Sequence, residues 1–136
     1  MQLNEFVGQV QRGARLPNPE QALKATRATL ETLAQRLGPD GSRHLAAQLP
    51  EGIAQYLGDR EVAAENFSSK EFLERVSARE GVGPPDSVTH TRAVLATLQH
   101  ALSAGEIRKV LERLPTDYAR LFAGMRGRPH YYGAGY

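Results

Sequence analysis

Shifted by 65 residues, the chain aligns with itself. Ala22 to Leu57 falls on Ser87 to Phe122 without a gap, and eleven of the 36 pairs are identical. Unrelated segments would share about two or three. The identities are Thr26/Thr91, Arg27/Arg92, Ala28/Ala93, Leu30/Leu95, Thr32/Thr97, Leu33/Leu98, Leu37/Leu102, Arg43/Arg108, Leu49/Leu114, Pro50/Pro115 and Ala54/Ala119. A one-residue slip carries the match upstream through Glu5/Glu71, Phe6/Phe72, Val10/Val76 and Leu16/Val82. The pattern predicts two tandem homologous units, 1–57 and 67–122, joined by a polar linker at 58–66 and followed by a tail at 123–136.

Each unit reads as about four helices. The first spans Leu3 to Ala14 and recurs over Ser69 to Glu80, where Ser68 and Glu71 are spaced as a capping box and Phe67 and Phe72 as a hydrophobic staple. The second runs from Pro19 to Leu37 and from Pro85 to Leu102. Its leucines 23, 30, 33 and 37, matched by Val88, Leu95, Leu98 and Leu102, form one helical stripe. Asn18 before Pro19 supplies a cap, with proline at a position that needs no N–H. A short third helix is expected over Ser42 to Gln48 and Glu106 to Arg113. Pro50 and Pro115 then end it and open a fourth, because the residue before proline is driven out of helical geometry. Ile53, Tyr56 and Leu57, or Tyr118, Leu121 and Phe122, would be its buried face. No segment alternates as a strand must. The fold class is therefore all-α, two units packed as one pseudo-symmetric domain, and 136 residues suffice for a real core.

Composition narrows function by exclusion. There is no cysteine, which removes disulfide frameworks, thiolate zinc sites, iron–sulfur clusters and cysteine nucleophiles. No stretch approaches the roughly 20 apolar residues that span a bilayer, and Met1 to Val10 lacks the layout of a signal peptide, so a cytoplasmic location without membrane attachment is expected. Residues 1–65 carry seven basic and eight acidic side chains, residues 66–136 ten and seven. That excess is mild beside the concentrated basic face of a nucleic-acid binder.

The second unit carries a family likeness. Residues 67–76 (FSSKEFLERV), 78–82 (AREGV), 91–95 (TRAVL), Leu114-Pro115-Thr116-Asp117-Tyr118 and Leu121-Phe122 resemble a bacterial family catalogued as domain of unknown function 2267, over about residues 4 to 122. The first copy fits less closely, with Gly8 and Gly13 where the second has Glu74 and Arg79. The resemblance implies a helical, duplicated bacterial protein. It carries no activity or catalytic residues with it.

Of the polar features, the duplicated Thr-Arg pair stands out. Arg27 lies about 40° beyond Leu23 on the wheel, at the edge of the stripe, and Arg92 occupies the same place. Two such guanidinium forks could grip an anion in one pseudo-symmetric site. As structural residues they would cover apolar surface and pair with Glu5 and Glu71, which is the reading the spacing favours. His44, His90, His100 and His130 make no metal pattern, since His90 and His100 sit about 15 Å apart along one helix. Ser42, His44 and Asp40 are close in sequence, but at a helix start Asp40 and Ser42 read as ordinary capping residues. No HExxH, phosphate-binding glycine loop or GxSxG elbow is present. The tail combines Arg126 and Arg128 with Tyr131, Tyr132 and Tyr136, a mixture that could stack on bases or dock on a protein, and is otherwise a flexible end. These features point to a non-catalytic interaction or assembly module without cofactor or metal, recognising a protein partner or itself. The alternative is a nucleic-acid-binding regulator using the basic C-terminal half and tail.

Overall fold

A computed structural model describes residues 1–58 and 63–123. Their architecture is all-helical: α1 (Leu3–Ala14), α2 (Pro19–Ala46), α3 (Glu51–Gly58), α4 (Ser69–Glu80), α5 (Pro84–Ala101), α6 (Ala104–Glu112), a 3-10 turn at Thr116–Tyr118, and α7 (Ala119–Ala123). The tail residues Arg126, Arg128, Tyr131, Tyr132 and Tyr136 lie outside the described residues.

Local chemistry sets the helix ends. Gln2 and Glu5 form a reciprocal capping box on α1, with the Gln2 N–H donating to Glu5 Oε1 at 2.9 Å. On α4, Ser68 Oγ accepts the Glu71 N–H at 3.2 Å, but the Glu71 carboxylate turns to Arg75, so only half of the expected box forms there. The Phe67 and Phe72 rings meet at 6.4 Å, closing the staple. Both helices end in a left-handed residue, Gly81 (φ 76) on α4 and Arg15 (φ 55) on α1. Asn18 caps α2 by accepting the Gln21 N–H at 2.9 Å.

The segment expected as a separate third helix in the first unit continues α2 across a kink. Gly38, at φ 82 and ψ −179, makes the bend. Pro39 has no N–H for the carbonyl of Gln35, and the Glu65 N–H donates to that oxygen instead, at 2.9 Å. Ser42 is therefore not a cap: its hydroxyl crosses the kink to the carbonyl of Ala34. In the second unit the corresponding break is extended backbone at Leu102 and Ser103, and Ser103 caps a distinct α6. After Pro50 and Pro115 the chain re-enters helix as α3 and as the 3-10 turn with α7.

Helices α2 and α5 form the centre. Each first-turn helix packs on both, α1 against α5 and α2, α4 against α2 and α5, while α3 lies on the far part of α2 and α7 on α5. One continuous core results: Phe6, Val10, Leu30 and Leu33 with Phe72, Val76, Leu95 and Leu98, none more than 2 % exposed. Burying each such side chain contributes about 1.5–3 kcal/mol. Because α2 is covered on several sides, its small residues Ala22, Ala25, Ala28 and Ala34 are buried as well. The hydroxyls of Thr26, Thr32 and Thr97 are satisfied by the carbonyl four residues back, each at 2.8 Å. Among the described residues no helix is long and apolar enough to cross a membrane.

Candidate binding groove between α1 and α5

Two seams between helices have the same layout and opposite contents. In the α2/α4 seam, Arg79 Nη1 donates to Thr32 Oγ1 (2.7 Å) and to Gln35 Oε1 (2.9 Å), and Arg75 reaches Gln35 (3.2 Å), Glu65 (3.1 Å) and Glu71 (2.6 Å). Glu31 lies between two guanidinium groups, 3.0 Å from Arg27 Nε and 3.6 Å from Arg79 Nε. Arg75 also covers the Phe67 ring at 3.9 Å, and Arg27 faces the Tyr56 ring at 5.6 Å. The seam is filled by its own side chains.

The α1/α5 seam is open. Gln9, Arg12, Gly13, Thr89, Arg92 and His100 border a groove of about 600 Å³, with Val88, Ala93 and Ala96 as its apolar lining. At the 65- and 66-residue shifts, the three charged residues Glu31, Arg79 and Arg75 of the first seam become Ala96, Gly13 and Gln9 here and Gln35 becomes His100, while Arg27 and Glu71 recur as Arg92 and Glu5. A polar cross-seam contact persists between His100 Nδ1 and Gln9 Oε1 at 2.9 Å, in the place of Arg75 with Gln35. Thr97 keeps the backbone bond of Thr32, but the arginine that Thr32 accepts is replaced by Gly13. Arg92 is exposed at the rim, and Arg12 runs back along α1 over Gly8. Among the described residues neither Arg12 nor Arg92 has an ion-pair partner.

The expected pairing of Arg27 and Arg92 with Glu5 and Glu71 is corrected by this geometry. Glu5 is held by the backbone of Gln2 and Glu71 by Arg75. A first-turn carboxylate finds those donors on its own helix, and Glu31, one turn from Arg27 at i+4, is the nearer acid. Nor do the two arginines converge: Arg27 belongs to the filled seam, Arg92 to the open groove.

A second polar cluster went unread in the sequence. Glu80 and His90, both buried, meet at 2.5 Å through Nδ1, beside a recess of about 230 Å³ lined by Gln21, Lys24, Gly81 and Val82. Burial pushes the Glu80 carboxyl up from the ordinary glutamate value, against the lowering effect of His90 and Lys24. Its Oε1 has no hydrogen-bond partner. The lining supplies no hydroxyl or thiol for the imidazole to activate. The signal was available: Glu80 and His90 stand where the first copy has Ala14 and Ala25. Near the start of α4, Asp117 accepts the Ser69 N–H at 2.7 Å, which holds its carboxyl below the usual range. The Tyr118 hydroxyl, pushed up to about 12 by burial, donates to the carbonyls of Phe67 (2.7 Å) and Ser68 (3.2 Å). These contacts fix where α4 begins. Among the described residues no three His, Asp or Glu side chains gather as metal ligands would.

The described residues make a small all-α protein with an open polar groove in the seam between α1 and α5. The chain belongs to a family of uncharacterized conserved proteins, DUF2267, whose profile it matches over residues 3–121. No curated protein matches it.

Proposed function

We propose that the protein is a duplicated, non-catalytic helical interaction module acting in the cytoplasm, with the α1/α5 groove as its contact face. One observation carries the reading: of two seams with the same layout, one is closed by its own ion pairs and the other is open, with cations at its rim. The self-alignment of the sequence, the twin left-handed caps at Arg15 and Gly81 and the crossed packing of α1 on α5 and α4 on α2 support two homologous, pseudo-symmetric units. A groove with an apolar lining and a charged border is the form of a partner site, with apolar area for affinity and charge for orientation.

Site-specific photo-crosslinking tests this. A crosslinker at position 96, inside the groove, should capture one protein that also binds the purified chain. A crosslinker at Lys109, on the exposed side of α6, should not. Absence of any adduct from position 96, together with a strictly monomeric protein in light scattering, would refute the proposal.

A further inference from the structure

The filled seam is a template for what the open one takes. In the α2/α4 seam a single carboxylate, that of Glu31, joins the arginine of the long helix to a cation from the crossing helix. In the α1/α5 groove the long-helix arginine is retained as Arg92, and Arg12 supplies the cation from the crossing helix, one position before the glycine that replaces Arg79. What has gone is the acid, since Ala96 replaces Glu31. Arg79 and Arg75 have gone with it, to Gly13 and Gln9, yet Arg92 and Arg12 remain beside a groove of about 600 Å³ whose lining holds no carboxylate.

We propose, resting on the interaction reading above, that the groove binds an acidic segment of a partner protein, one of whose glutamate or aspartate carboxylates takes the place that Glu31 fills in the other seam. Arg92 supplies the planar fork for that carboxylate, Arg12 the second charge, and Val88, Ala93 and Ala96 the apolar contact for the segment that carries it. Gly13 makes the approach possible: a Cβ there would lie 3.3 Å from Ala93 Cβ, so α1 and α5 come close at that point without a side chain between them. The charge content favours peptide over nucleic acid. Two arginines neutralise about one or two anionic groups, whereas duplex or single-strand binders commonly engage about six or more phosphates.

The probe is hexaglutamate peptide, titrated at low salt into the full chain carrying 15N and read from amide shifts. Shifts should cluster at Gly13, Arg92 and His100. Ala96→Glu should abolish them by placing a carboxylate four residues from Arg92, as Glu31 stands to Arg27, while leaving the fold intact in the same spectra. Arg92→Ala should weaken binding about tenfold or more, and Arg27→Ala, in the filled seam, should leave it unchanged. Hexaglutamate binding that survives Ala96→Glu overturns the proposal, as does tighter binding of a dT12 oligonucleotide at the same residues. If the position-96 crosslink captures a partner whose binding is indifferent to Ala96→Glu, the acidic occupant is wrong and the interaction module stands. If neither peptide nor partner engages the groove, both fall.

Discussion

At Thr29 and Arg15 the residue that aligns 65 or 66 positions further on, Val94 or Gly81, suits the local structure better. Thr29 is fully buried and its hydroxyl has no partner; its counterpart is Val94, also fully buried. Thr29→Val keeps the branched shape and removes an unpaid desolvation, so it should raise stability by about 1 kcal/mol in urea unfolding. Arg15 holds a left-handed conformation that the matching residue, Gly81, adopts without steric cost. Arg15→Gly should add about 0.5–1 kcal/mol by the same measurement. Glu80 makes a different demand. Its folded carboxyl binds a proton more readily than it does in the unfolded chain, so it favours folding below the ordinary glutamate range and loses that advantage as pH rises. The melting temperature of Glu80→Gln relative to the parent should therefore increase between about pH 4 and pH 7. A difference independent of pH would show that the carboxyl is not perturbed by its burial.

At the scale of elements, the kink in α2 is the most exacting feature. Gly38 combines a positive φ with extended ψ, a region open only to glycine, and a Cβ there would stand 2.9 Å from Ala64 Cβ and 3.0 Å from its nitrogen. Gly38→Ala should cost about 2–3 kcal/mol or more, visible as a large drop in the urea midpoint. Tyr118→Phe should cost only about 1 kcal/mol, because the Phe67 carbonyl it abandons keeps a donor in Arg36 Nε at 3.2 Å. The helices themselves were legible: α1 and α4 end where the cap residues and periodicity put them, and Pro50 and Pro115 break the chain as proline must. Whether α2 stops at Gly38 or bends there was not legible. A Gly-Pro turn and a Gly-Pro kink have the same local sequence, and the choice rests on Glu65, a distant residue that satisfies the Gln35 carbonyl.

At the scale of the whole molecule, the leucine stripes and the absence of strand patterns were enough to read an all-helical core, but not which helix crosses which. The groove was half visible for the same reason. Arg92 drew notice because it repeats Arg27, yet Arg12, Gln9 and His100 come together only when α1 lies across α5, about 90 residues away in sequence. The acid that pairs with Arg27 is Glu31, one turn on along the same helix and so legible in the sequence, whereas the duplicated Glu5 and Glu71 are held at their own helix starts. Identical positions in a repeat report packing. Residues 31, 79, 14 and 25, at which the copies disagree, point to the features that distinguish one seam from the other and to the buried pair.

Helix α1 rests on both α2 and α5, and α4 rests on both as well, so the two halves of the chain share one interior and neither long helix is covered by neighbours from its own half alone. The halves should therefore lose their structure together, in a single cooperative transition and not one after the other.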